Sequence, residues 1–296
     1  MEGYKLFGPY IFVYFLGLGL MEVIWHWQKQ RKYNWQESGV SIADMAIRSV
    51  VLAGIGGPLL LKVGPWLETF RVADLPVRDG GMFHWGRAAV LFLGLEFLYY
   101  WFHRWSHEIR WFWATHSVHH SPNSMNFMTA ERLGWTQNLS GAILTFTPLF
   151  ILGFHTNEIL AMFSINLLYQ YWLHTEMIGK LGPLEFILNT PAHHRVHHAS
   201  NTEYLDANYG GVLIIFDRLF GTFIEQKENE PIVYGLVRPL YSRNPVYVAL
   251  HEWINITKDI RAHWHTPSVL LKYLFGKPGW SHDGSRKTSA ELITAL

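Results

Sequence analysis

The sequence predicts an all-α integral membrane fold: three spans and a re-entrant helical hairpin that carry a histidine-rich site for two metal ions at one membrane face. Three observations predict it. Hydrophobic residues make up 49% of the 296 and charged residues only 16%, against about a quarter in soluble domains. Apolar stretches of near-spanning length recur along the first half. Four motifs, HRWSH, HSVHH, HTE and HHRVHH, place ten histidines at largely helical spacing.

The first apolar stretch, about Tyr4 to Trp25, has the roughly twenty residues that cross a bilayer. It reads as a span and not as a signal peptide: no basic segment precedes it, and bulky Trp25, His26 and Trp27 stand where small residues would mark cleavage. The second, about Ile42 to Val63, holds Arg48 and a Gly54–Gly57–Pro58 interruption that predicts a kink or burial against neighbours. The third, about Ala88 to Phe102, runs directly into His103. Its Glu96 is costly in lipid and is expected to face the protein interior. Two shorter stretches, about Leu139 to Phe154 and Ile159 to Leu173, form the hairpin that enters the bilayer and returns to the same side.

Lys29, Arg31 and Lys32 after the first span place that connector in the cytoplasm. Three crossings then put His103 on the cytoplasmic side and the N-terminus outside. Arg71, Arg78 and Arg87 between the second and third spans oppose this assignment. From about Gly179 onward no stretch is apolar enough to span. HEWINITKDIRAHWH and FGKPGW read either as interfacial elements with Lys258, Arg261, Lys272 and Lys277 near lipid phosphates, or as a soluble cap packed on the site. One integrated domain over 1–296 is expected, with the spans in 1–103, a histidine-rich catalytic core at 104–223 that includes the membrane hairpin 139–173, and an interfacial or cytoplasmic tail at 224–296.

A net charge of +1 without long basic runs gives no electrostatic basis for nucleic-acid binding. The absence of cysteine rules out thiolate ligands, so a metal must be held by nitrogen or oxygen. On a helix, residues at i, i+3 and i+4 share a face, so HxxxH and HxxHH each aim two or three imidazoles at one place. His103, His107, His116, His119, His120, His194, His197 and His198 fit that rule, while His174 and His193 are less regular candidates. Three such patches suit two ions, and nitrogen donors favour a first-row transition metal, iron before zinc, over magnesium or calcium. The other seven histidines, His26, His84, His155, His251, His263, His265 and His282, read as packed or surface residues.

Glu108, Glu131 and Glu176 lie beside the histidine motifs and are the catalytic candidates, able to orient an imidazole N–H or to ligate directly, with surface salt bridges as the alternative. Asn126, Asn208 and Tyr209 are further candidates for supporting or substrate contacts, although Asn208 and Tyr209 also suit a turn before Gly210 and Gly211. Aromatics such as Tyr99, Trp113 and Tyr171 read mainly as core or interfacial belt, with a minority lining a lipid tunnel.

The motifs HRWSHE, HSVHH, HTE and NTPAHHRVHH, followed by NYGGVLIIFDRLFGTF, resemble the fatty acid hydroxylase and sterol desaturase superfamily of integral membrane di-iron enzymes, from about Glu96 to Phe223. Within it the likeness is to the alkylglycerol monooxygenase branch and its bacterial sterol desaturase family relatives. The resemblance implies a helical membrane domain with a cytoplasmic helical cap, in a bacterial inner membrane or the endoplasmic reticulum. It implies metal ligation by His103, His107, His116, His119, His120, His174, His194, His197 and His198, with His193 as a ligand or a neighbour of one. The chain departs from other branches at Gln170, which stands four residues before His174 where they carry a histidine.

The implied chemistry is dioxygen-dependent hydroxylation of an unactivated C–H bond in the acyl, alkyl or sterol-like chain of a membrane lipid, with two iron ions as cofactor and O2 as cosubstrate. Two electrons must come from an external donor, because there is no cysteine for an iron–sulfur cluster and no HPGG signature of a fused cytochrome b5. That donor is a separate electron-transfer protein or, by likeness to the branch, reduced pterin. Desaturation by the same centre is the first alternative. A zinc-dependent membrane hydrolase with a glutamate as general base is the second, and a metal or haem carrier the third.

Overall fold

The computed structural model describes residues 2–72 and 82–296, and among them the secondary structure is helical, with two isolated β-bridges and no strand. Arg78 lies outside the described residues, as does the side chain of His84.

Helix α1 covers Glu2–Gln28. Helix α2, Trp35–Val51, begins at Asn34, whose side chain accepts the Glu37 N–H and satisfies one free donor of the first turn. It passes through one π-helical turn, Leu52–Gly56, into α3, Gly57–Glu68. Pro58 offers no N–H to the carbonyl four residues back, and Gly57 N–H bonds instead to the Leu52 carbonyl, five back. The glycine–proline interruption therefore widens the helix without ending it. The continuous helix 35–68 is, among the described residues, the one long and apolar enough to cross a membrane. Val50, Ile55, Leu61 and Trp66 on it are exposed, as a lipid-facing surface requires.

Helix α4, Met82–Glu108, packs against a hairpin made of a 3-10 turn, Ala142–Phe146, α6, Thr147–Ile151, and α7, Thr156–Tyr171. Leu91, Leu95, Phe102, Phe146, Leu149 and Phe150 form the apolar core between them. At the hairpin tip Arg87 donates to both Glu158 oxygens, at 2.9 and 2.6 Å, and Thr156 N–H donates to Glu68 at 2.7 Å. Counting sixteen residues from Arg87 along α4 reaches His103, about 24 Å of helix, and α7 runs on from Glu158 to Tyr171, three residues short of His174. The charged tip thus sits at the far ends of α3 and α4, with the histidines at the opposite end.

Glu96 faces inward, as its cost in lipid predicts. It accepts Asn166 Nδ2 at 2.5 Å and the Val212 and Leu213 N–H groups at 2.8 and 2.9 Å, tying α4 to α7 and to the loop beyond the last histidine motif. Helix α4 stops at Ile109, which is extended, so α5, Arg110–His120, folds back along α4 and the two histidine pairs meet. Helix α8, Pro191–His197, opens on a Thr190 cap and Pro191, whose missing N–H is one that a first turn leaves free anyway. A short α9, Ile215–Phe220, precedes α10, Pro245–His263, and α11, Pro267–Phe275. Buried Arg110 clamps α10 onto α5 through Glu252 at 2.7 Å and Asp259 at 2.6 Å. One face of the tail is therefore packed on a histidine-bearing helix, while Lys258, Arg261, Lys272 and Lys277 remain exposed.

Candidate metal centre

Nine histidines converge in two groups. His103 and His107 from α4, His116 and His120 from α5 and His197 from α8 form the first. His119, His174, His194 and His198 form the second, and within each group one ring nitrogen per residue lies within 4.8 Å of all the others. The i, i+4 pairs stay together, while the third member of each HxxHH motif, His119 or His197, turns to the other group. A 100° rotation per residue is the reason, since His119 and its neighbour His120 point from different faces of α5.

Backbone carbonyls fix the ring tautomers. Nδ1–H of His103 donates to the Tyr209 carbonyl at 2.8 Å, His119 to Arg132 at 3.1 Å, His174 to Gln170 at 2.9 Å and His197 to Ala207 at 2.9 Å. A neutral imidazole that donates from Nδ1 keeps a bare lone pair on Nε2. Yet the Nε2 atoms of His119 and His174 face each other at 3.1 Å, with no proton to share. Nε2 of His103 lies 2.9 Å from that of His116, and Nε2 of His107 and of His197 are buried without any protein partner. Converging lone pairs repel unless a cation lies among them, so the donor set fits a metal ion in each group.

Burial, reinforced by neighbouring imidazoles, holds His103, His116, His120, His174, His194, His197 and His198 well below the usual histidine range. His119 is lowered to about 4 by the same burial. The rings are thus neutral at physiological pH, the form that binds metal.

The remaining candidates lie elsewhere. His193 belongs to neither group; it packs edge-on against Phe223, with Nε2 4.0 Å from Glu185. Glu108 pairs with Arg104 one turn earlier at 3.0 Å, Glu131 with Arg48 at 3.3 Å and Glu176 with Arg31 at 3.3 Å. Gln170 is held away from the metal groups, accepting Tyr99 OH at 2.9 Å and donating to Asn166 at 2.5 Å, while its carbonyl orients His174. Asn126 caps the 3-10 turn Phe127–Glu131.

Residues 206–210 supply partners that the histidine motifs do not announce. Asp206 and Asn208 both adopt left-handed backbone, which Asn and Asp tolerate better than most side chains. The Asn208 side chain donates to the His193 and Ile224 carbonyls, and Asp217 accepts the Tyr209 and Gly210 N–H groups at 2.7 Å each. That fixed loop aims the Ala207 and Tyr209 carbonyls at His197 and His103, and brings Asp206 to 3.7 Å from His107 Nδ1. The turn reading of Asn208 and Tyr209 therefore holds, and it acts on the site through the backbone.

A cavity of about 1110 Å³ reaches both groups, with His103 and His116 from one and His119 and His174 from the other in its wall. Tyr14, Phe15, Phe102, Phe163 and Tyr171 make much of the remaining lining apolar. The volume is sufficient for a lipid chain.

Residues 88–222 match the Fatty acid hydroxylase family, a span that contains every histidine of both groups. The chain belongs to this family. It is 44% identical to the alkylglycerol monooxygenase of Homo sapiens over 229 residues, 76% of this chain and 48% of that protein. The alkylglycerol monooxygenase of Xenopus tropicalis is 37% identical over 295 residues, 96% and 62% of the two chains. An ornithine lipid hydroxylase of Rhizobium tropici is 32% identical over 142 residues, 47% and 43%. The chain spans about half the length of the curated relatives it matches. No solved structure matches it significantly.

Proposed function

We propose that the chain is a dioxygen-dependent lipid monooxygenase whose nine clustered histidines hold two iron ions. The carrying observation is the pair of lone-pair-rich histidine groups opening on one apolar cavity. The iron pair would supply dioxygen activation, so that O2, two external electrons and two protons convert a substrate C–H into C–OH and water. The protein's part is to hold the imidazoles neutral and fixed through the Tyr209, Arg132, Gln170 and Ala207 carbonyls, to seat the lipid chain beside them, and to exclude water. An alkylglycerol monooxygenase and a lipid hydroxylase among the relatives support oxygenation of a lipid. A hydrolase would need a general base at the metal, and Glu108, Glu131 and Glu176 are each paired with an arginine outside the histidine groups. The electron donor belongs to the same proposal: a separate protein or reduced pterin.

The experiment is mass spectrometry of lipids from cells that express the chain under 18O2. One labelled oxygen gained in a lipid is expected. Loss of two hydrogens without label would make the enzyme a desaturase, and a lipid change independent of O2 would sink oxygenation altogether.

The same proposal places α1, the helix 35–68 and α4 as three crossings, with the histidine groups at the cytoplasmic face. The cysteine-free chain makes this testable with single cysteines. Lys29→Cys and Glu228→Cys are both exposed positions. Both should react with an impermeant maleimide in inside-out vesicles and stay unlabelled in right-side-out ones. Opposite labelling of the two would break the topology.

A further inference from the structure

Residues of several helices line the cavity that reaches both histidine groups. Among the described residues, those of its wall that are also exposed are Tyr10, Ile11, Ala161, Ser164, Ile165 and Leu167, and all lie on α1 or α7. A side chain that lines a cavity and is open to the outside marks its rim, so the mouth is the gap between these two helices. Tyr10 is 70% exposed and Ile165 57%. Ala161, Ser164, Ile165 and cavity-lining Leu168 recur at i, i+3, i+4 and i+7, one face of α7. None of the six rim residues is charged, and the Ser164 hydroxyl turns to the Leu160 carbonyl of its own helix at 2.8 Å.

The gap is closed at the end nearer the histidines. There Phe15 packs edge-on against Tyr171, ring centroids 4.3 Å apart, and Glu22 accepts the hydroxyl of Thr175, the neighbour of His174, at 2.5 Å. Next to that seal, Tyr14 OH donates across the gap to the Leu168 carbonyl at 3.4 Å. The rim runs away from the seal: Tyr10 lies twelve residues before Glu22 on α1 and Ala161 ten before Tyr171 on α7, about 18 and 15 Å of helix. With the histidine groups at the cytoplasmic face, as proposed above, that depth falls inside a hydrocarbon layer about 30 Å thick. A mouth at that level meets lipid chains and not water.

We propose that the gap between α1 and α7 is a lateral portal, through which a lipid chain passes from the bilayer into the cavity. The proposal rests on the lipid-oxidising reading and the topology above, and it commits the enzyme to a substrate held in the membrane, as opposed to one delivered by a water-soluble carrier. A chain that moves sideways from the bilayer into an apolar cavity exchanges one apolar surrounding for another and keeps its CH2 groups out of water throughout. The uncharged rim suits that passage, since it offers a polar or anionic group no partner. The seal at Phe15, Tyr171 and Glu22 then separates this route from the face where the histidines lie.

The test reads entry and not turnover. The full chain is placed in phosphatidylcholine vesicles that contain a fatty acid with a diazirine midway along its chain, and after illumination the labelled residues are mapped by mass spectrometry. Label is expected on Phe102 and Ser106, which line the cavity and are buried within the protein. Because the chain has no cysteine, Ser164→Cys can be blocked with benzyl methanethiosulfonate and freed again with a phosphine reductant in one folded sample. Blocking should lower the interior label about tenfold, the scale of overfilling a packed space with one aromatic ring, and reduction should restore it. Leu61→Cys, exposed on the helix 35–68, should show no change under the same treatment. Interior label that persists after blocking, or that is absent throughout, would overturn the portal. So would a Ser164→Cys that resists the reagent and cross-links to a second copy of the chain. A chain that admits the probe by this route yet oxidises no lipid would refute the proposed function and leave the portal standing.

Discussion

On the proposed reading of two bound ions, replacing His174 with alanine is expected to leave about one metal ion per chain and to lower lipid oxidation at least about 100-fold. His174 occupies the middle of the four-histidine group, with Nε2 3.1 Å from that of His119 and 2.9 Å from that of His194. Its removal leaves three donors and an opening on the cavity side, since His174 also lines the cavity. Loss of a residue that merely orients a ligand typically lowers metal affinity 10–100-fold, and loss of a ligand should exceed that. Metal analysis of the purified variant separates the two consequences, because the five-histidine group shares no residue with this one. Two ions retained per chain would remove His174 from the ligand set. Gln170→Leu is the companion control: its side chain hydrogen-bonds to Tyr99 and Asn166 and not to a histidine of either group, so the ion count should stay as in the unmutated protein, as the backbone carbonyl that holds His174 is kept.

The histidines were legible because a helix repeats every 3.6 residues, and HxxxH or HxxHH places rings on a shared face without any knowledge of the fold. Their division into five and four was not legible. His119 and His120 are adjacent in sequence and serve different groups, and only the positions of α4, α8 and His174 decide which ring meets which. The inward orientation of Glu96 followed from the cost of a carboxylate in lipid, yet its partners, the Val212 and Leu213 amides, lie 116 and 117 residues away. A separation of 106 residues likewise hides the carbonyl of Tyr209 behind His103. The glutamates were read two ways in sequence, as groups at the imidazoles or as salt bridges, and each forms an ion pair with an arginine. Proximity to a motif in sequence put Glu108 forward, but it turns to Arg104 four residues earlier, an arrangement visible in HRWSHE itself.

Arg132 shows what motif reading passes over, and its replacement by methionine should produce the largest loss of stability among these variants, about 3–5 kcal/mol. The side chain is 1% exposed and pairs with the Glu37 carboxylate at 2.5 Å, while also donating to the Glu37 carbonyl, Ser41 and Ser121. Methionine fills similar volume but leaves the mostly buried Glu37 charge uncompensated, and that uncompensated charge is the origin of the penalty. Glu37→Gln in the same background should restore a part of it, since the amide carries no charge to bury. Metal content should fall as well, because the Arg132 carbonyl accepts from His119 Nδ1 and loses its anchorage to α2. The exposed pair Lys227–Glu230 gives the contrast: Lys227→Met should shift the thermal midpoint little, as surface pairs contribute about 0–1 kcal/mol. A thermal midpoint for Arg132→Met as close to the unmutated protein as that of Lys227→Met would show that Glu37 finds solvent without its arginine. The junction of α2 with the 127–131 turn would then not be what holds His119 in place.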